Sequence, residues 1–262
     1  MRSRKLMVTG GAQTKIAVYA DSECALAPLD VHRELKKSGR ITVSGSAVDM
    51  AHPEMQGQTQ LDCLRWLPFA ASVYKISPKL EDYLVVPVII MPSDLSNRNC
   101  VGFPLRELLR FNADVGDCAY KTWKGQPTHL EHDNEDVTKA YGVIFDSFLR
   151  PMSSHGQGKV WKLLQLLAFD RTKHPELTSQ IERGERNSYS MGAFVDAYTC
   201  SYCGADLGKC MHLDPKAKAP EFYLRDGVLV HKNVRGIKGF ETSNVGDPAY
   251  YSAISDTVTV VS

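Results

Sequence analysis

The sequence has no apolar run long enough to cross a bilayer. Its longest apolar stretch, Leu84 to Met91, is interrupted by Pro87 and falls far short of the ~20 residues a spanning helix needs, so it reads as a buried strand. It also has no charge bias. Thirty-one Lys+Arg against 30 Asp+Glu leave a formal net charge of +1, which implies no nucleic-acid partner. There is no internal repeat and no low-complexity tract. The basic start, Met1 to Lys5, is followed over Met7 to Thr14 by no apolar core and no small-residue cleavage site, so no secretory signal is expected and the protein is expected to work in a cytoplasm. A disulfide framework is not indicated either: the cysteines number seven, and Cys200, Cys203 and Cys210 crowd beside His212 in the manner of metal ligands. The other four, Cys24, Cys63, Cys100 and Cys118, are scattered and read as small buried hydrophobes.

What is present is an ordinary globular composition, 43% hydrophobic and 23% charged over 262 residues, enough for one main core. Residues 1–75 are mixed, with weak helical character near Leu29 to Lys37 and polar Gly/Gln-rich material from Val48 to Gln60; they read as an N-terminal extension to which no fold is assigned. Residues 76–262 read as the principal domain. Tyr83 to Met91 and Ala140 to Phe148 are strand candidates, with Asp146 marking the turn away from the second; Leu105 to Phe111 is expected to be a short helix, followed by a loop to Thr128. The spacing of Trp161, Leu164, Leu166 and Leu167 predicts a helix over Val160 to Arg171. A second helix starts at Pro175 and ends at Gly184. Met191 to Thr199 alternates as a strand, and Asp226-Gly227 between β-rich arms predicts a hairpin. Strands outnumber helices, which indicates a β-dominated α+β domain.

Cys200-x2-Cys203-x6-Cys210-x-His212 supplies three thiolates and one imidazole, the donor set of a closed tetrahedral zinc site. Four protein ligands leave no open position for water, so the expected zinc is structural and holds a loop at 200–212.

Hydrolytic chemistry has two sources of candidates. His129 and His132 lie among carboxylates just before a strand, and a histidine brings a pKa near working pH to a general base. Ser190 opens a strand and is followed by Met191-Gly192, where a glycine permits close backbone approach and could free amide donors; Ser188 is an equally available hydroxyl.

Read together, these segments resemble the head-maturation (prohead) protease family of tailed phages, which is distantly similar to herpesvirus assemblin. Tyr120 to Pro127, leading through Glu131-His132-Asp133 to Gly142-Val143-Ile144, is similar to the family's histidine segment. Leu163 to Leu167, Asp170-Arg171-Thr172, His174 to Leu177 and Ile181 to Gly184 are similar to the segment leading to its serine. Ser190-Met191-Gly192 matches the serine motif, and Gly239-Phe240-Glu241-Thr242-Ser243-Asn244-Val245-Gly246-Asp247-Pro248-Ala249 resembles the closing strand and turn, departing from it at Asn244, where an apolar residue is usual. The resemblance covers 115–255; large-phage members also carry a cysteine cluster just after the serine strand.

The resemblance implies an α+β, assemblin-like fold: a β-barrel-like sheet flanked by helices, with a small zinc-binding loop. It implies a serine endopeptidase with Ser190 as nucleophile, His132 as base and His129 as a bystander. The third member is an acid in phage members, and Glu241 is the first choice ahead of Asp247. Scaffold and major capsid proteins, and the chain itself, are the implied substrates, inside the assembling prohead in the host cytoplasm; an oligomer within the prohead core is compatible with this. A catalytically inactive capsid- or scaffold-associated protein of the same fold is the alternative. No nucleic acid and no membrane partner is expected.

Overall fold

The computed structural model describes residues 16–21, 43–44, 47–48, 58–151, 160–213 and 223–246. The helical segment expected near Leu29 to Lys37 lies outside them. In chain order the strands are β1 (Ile16–Asp21), β2 (Val43–Ser44), β3 (Ala47–Val48), β4 (Tyr83–Pro92), β5 (Val101–Gly102), β6 (Phe111–Asn112), β7 (Asp117–Cys118) and β8 (Pro127–Leu130). They continue with β9 (Gly142–Pro151), β10 (Trp161–Asp170), β11 (Tyr189–Val195), β12 (Ala197–Cys200), β13 (Tyr223–Arg225), β14 (Val228–Val230), β15 (Lys232–Arg235) and β16 (Lys238–Asn244). The described helices are Gln58–Tyr74, Leu105–Leu108 and Pro175–Glu182, with short 3-10 turns between elements. This is a mixed α+β fold with few helices.

Seven strands form the main sheet in the order β1-β11-β16-β8-β9-β10-β4. Every neighbouring pair is antiparallel except β16 and β8, which run parallel. β4, at one end of the order, also packs against β11 and β1 at the other, so the sheet curls into a half-barrel. Its concave side holds Val86, Ile90, Leu167, Phe169, Tyr189 and Met191 around the fully buried Trp123. The convex side of β4, β9 and β10 presents Val85, Val143, Phe145, Leu164 and Leu166 to Leu67, Ala70 and Ala71 of the helix Gln58–Tyr74.

Burial on both faces explains the largest departure from the sequence expectation. Val160 to Arg171, expected to be a helix, holds the interior strand β10, hydrogen-bonded to β9 on one edge and β4 on the other. Leu163, Leu167 and Phe169 enter the concave core while Leu164, Leu166 and Ala168 enter the convex one. A strand covered on both sides carries a near-continuous apolar run, and such a run satisfies helical spacing as well as strand spacing.

Smaller departures have local causes. β9 does not turn away at Asp146 but runs on to Pro151, bulging at Phe145; Asp146 is buried and pairs with Lys121 Nζ at 2.8 Å. Leu105 to Phe111 is helical only to Leu108, and the expected loop to Thr128 contains the hairpin β6–β7 and the start of β8. Met191 to Thr199 is divided into β11 and β12. The helix beginning at Pro175 and the Asp226-Gly227 turn, both residues at positive φ (51° and 75°), are as expected.

Candidate active site and metal centre

The site is built on the outer face of β11 and β16. Side chains on a strand alternate between faces, so Tyr189, Met191 and Ala193 fill the core while Ser190 and Gly192 face the other way. Antiparallel pairing sets Ser190 opposite Ser243 and Gly192 opposite Glu241; a register shift between Gly192 and Ala193 bulges β16 at Phe240. β8 continues the row, with His129 in register beside Ser243. Just beyond β8 the chain turns through Glu131 and His132, both in the left-handed region (φ 53° and 58°), and this carries the His132 ring back over β16.

Three side chains meet there. His132 Nε2 lies 2.7 Å from Ser190 Oγ and His132 Nδ1 lies 2.6 Å from Glu241 Oε1. Glu241 is fully buried and Ser190 is 1% exposed, whereas the His132 side chain keeps 22% of its surface open. A buried carboxylate needs donors. Glu241 has the His132 ring on Oε1 and the Ser243 hydroxyl on Oε2, the latter at 2.6 Å. Because the carboxylate sits on Nδ1, the proton resides there and Nε2 is left to accept from the Ser190 hydroxyl.

Gly192 explains why a glycine stands two residues after Ser190. A Cβ at this position would lie 2.5 Å from Phe240 Cζ and 2.7 Å from Glu241 Oε1. The bare backbone thus makes room for the carboxylate that holds the histidine; the clearance serves a side chain. On the other side, Trp123 Nε1 donates to the Gly192 carbonyl at 3.1 Å, tying β11 to the Ala119–Trp123 turn.

Several neighbours have other work. Ser188 Oγ donates to the Val245 carbonyl at 2.8 Å. Asn244, the departure from the usual closing motif, donates from Nδ2 to the Ser188 carbonyl and accepts from Arg186, so its amide extends the β11–β16 contact. His129 is fully buried and neither ring nitrogen has a hydrogen-bond partner among the described residues. Burial pushes its pKa down, against the opposing pull of Glu241 and Asp133. His231 lies outside this row, on the segment that pairs with Ser201, and Asp247 lies outside the described residues. Sequence reasoning missed Ser243 and Trp123 as supports; the signal for Ser243 was its i+2 relation to Glu241, which puts both on one face of a strand.

Cys200, Cys203, Cys210 and His212 form a separate cluster whose donor atoms all lie within 4.8 Å of one another. Cys200 ends β12, Cys203 sits in the turn closed by Gly204 N to the Cys200 carbonyl (Gly204 at φ 72°), and Cys210 follows the Leu207–Lys209 turn. Cys203 Sγ is 3.7 Å from Cys210 Sγ, and His212 Nδ1 is 3.4 Å from Cys210 Sγ and 3.9 Å from Cys200 Sγ. A tetrahedral ion with ordinary Zn–S and Zn–N bonds has edges of roughly 3.8 Å between sulfurs and roughly 3.5 Å from sulfur to nitrogen. The three distances above are close to these edges, and with every donor within 4.8 Å of the others the group could hold one metal ion by a small contraction.

No family model matches the chain, and no curated protein matches it. Among solved structures, the bacteriophage T4 capsid assembly protease, gp21, is similar over 63% of this chain and 84% of that chain, at a TM-score of 0.37 and 16% identity.

Proposed function

We propose that the chain is a serine endopeptidase of the phage head-maturation type, acting through Ser190, His132 and Glu241. The observation that supports this best is the unbroken line from Glu241 Oε1 to His132 Nδ1 (2.6 Å) and from His132 Nε2 to Ser190 Oγ (2.7 Å). Ser190 Oγ attacks the scissile carbonyl as its proton passes to His132 Nε2. The C–N bond then breaks, and His132 returns that proton to the leaving amine. Water repeats the sequence on the acyl-enzyme, releasing the acid and restoring Ser190. Glu241 stays ionised throughout, fixing the ring tautomer and stabilising the imidazolium formed in each half-reaction.

The segment resemblance directs the substrate proposal to scaffold and major capsid proteins, and to the chain itself, within the prohead. The cysteine cluster is proposed to hold structural zinc, which supplies rigidity to the turn between β12 and the segment after Cys210 and takes no part in hydrolysis.

The test is processing of co-expressed scaffold by wild type, Ser190→Ala and His132→Ala, with folding checked by circular dichroism. Wild-type cleavage lost in both folded variants is the expected result. A folded Ser190→Ala protein that still cleaves overturns the assignment, and a wild type that binds scaffold or capsid without cutting it identifies the inactive structural protein instead.

A further inference from the structure

Ser243, which donates to Glu241, has a second bond whose consequence reaches the base as well as the acid. It lies on β16, fully buried, opposite Ser190 on one side and in register with His129 on the other. Its hydroxyl donates to Glu241 Oε2 at 2.6 Å and accepts from the His132 backbone N–H at 3.2 Å. Neither direction can be reversed, because an ionised carboxylate has no proton to give and an amide N–H cannot accept. One hydroxyl therefore ties together the acid and the base.

Each tie answers a specific need. A carboxylate held at one oxygen can rotate about its terminal torsion, which has a broad energy well; the bond to Oε2 stops that rotation and leaves Oε1 aimed at Nδ1. His132 sits at φ 58°, a left-handed conformation that is strained for a non-glycine residue and persists only where the surroundings impose it. The bond from its N–H to Ser243, with the Glu131 N–H bonded to the Asn244 carbonyl at 2.9 Å, imposes it.

We infer that Ser243 is a positioning residue for the proposed hydrolytic reaction, clamping Glu241 and the His132 backbone so that the ring is held in line with Ser190. The inference rests on the peptidase reading. Ser243 acts through the two residues it holds.

The experiment is Ser243→Ala in the full chain, read in two ways: kcat and KM measured separately on scaffold, and the far-downfield proton resonance of His132 Nδ1–H, identified by its loss in His132→Ala. The expected result is a fall in kcat of about ten- to a hundred-fold with little change in KM, the size associated with sub-ångström misplacement of a catalytic group, together with a shifted or broadened resonance. Ser243→Thr, which keeps the hydroxyl, restores both. Wild-type kcat with an unchanged resonance overturns the proposal, and so does a loss of kcat with an unchanged resonance, because the effect would then not pass through His132 and Glu241. Should Ser243→Ala fail to fold, Ser243→Cys keeps the side-chain shape with a slightly larger atom, weakens the donor and is read against the same outcomes. If wild type cleaves nothing, the peptidase reading has failed on its own, and the resonance still decides whether Ser243 clamps His132.

Discussion

Replacing Gly192 by alanine adds one methyl group where the site has no room for it. The new Cβ would stand 2.7 Å from Glu241 Oε1, 2.5 Å from Phe240 Cζ and 2.9 Å from Phe240 Cε2. Phe240 packs on Phe194 with ring centroids 4.5 Å apart, and the carboxylate is fully buried. An ordinary contact at this kind of pair needs roughly 3.5 Å, so Oε1 must retreat by roughly 0.8 Å. Its bond to His132 Nδ1, now 2.6 Å, then stretches past the ~3.2 Å at which a hydrogen bond loses its hold. Misplacement on that scale costs about a hundred-fold in rate, or about 2.7 kcal/mol in the barrier. The assay is kcat and KM on scaffold for Gly192→Ala, Glu241→Gln and the double variant, with thermal melts showing that each is folded. If the methyl acts through the carboxylate, the double variant is no slower than Glu241→Gln alone. A folded Gly192→Ala protein with wild-type kcat, or penalties that multiply in the double variant, would refute the reasoning.

Asp170, at the end of β10 and 1% exposed, accepts hydrogen bonds from Ser77 N, Thr172 N, Thr172 Oγ1 and Lys173 N. Burial works to raise its pKa, but the bonds from Thr172, Ser77 and Lys173 outweigh it and hold the carboxyl below its usual range. Asp170→Ala should cost about 2–4 kcal/mol in urea unfolding without touching the catalytic row, and an unchanged midpoint would contradict it. Stability from the ionised carboxylate is present above the unfolded pKa of about 3.9 and lost as pH falls through the lower folded value. His129 works with the opposite charge: burial holds its folded pKa below about 6.5, so on acidification the unfolded chain takes up the proton first. Its contribution is fully present above about pH 6.5 and declines below it at up to about 1.4 kcal/mol per pH unit, and His129→Leu should flatten that slope in denaturant titrations. A slope unaltered by the substitution would place the acid sensitivity elsewhere. Purified protein should carry about one zinc per chain, and Cys203→Ser should lower both metal content and melting temperature; metal-free protein with an unaltered melt would remove the zinc proposal.

Some of this was legible in the sequence because it is written locally. Asp226-Gly227 demands a turn with two positive φ values, Pro175 presets a helix start, and the cysteine spacing gathers its own donors. The residues named from the sequence, Ser190, His132 and Glu241, also come within hydrogen-bond reach of one another, although their segments are far apart along the chain. What could not be read was set by tertiary burial. Leu163 to Phe169 satisfies helix and strand patterns alike, and only the arrival of β4, β9 and the helix Gln58–Tyr74 makes it a strand. The bulges at Phe145 and Phe240 leave no mark in composition, yet the second sets the register that brings Glu241 over Gly192. The pairing of Ile16–Asp21 with β11, at long range and from a segment of mixed pattern, was equally beyond local reading.

The central claim is that Ser190 is a nucleophile activated by His132. A serine-directed fluorophosphonate followed by peptide mass mapping tests it most directly. The account predicts one adduct per chain, located on Ser190, and its loss in folded His132→Ala protein. An adduct on Ser188 or another serine, or wild-type protein that cleaves scaffold while remaining unlabelled at Ser190, would contradict it.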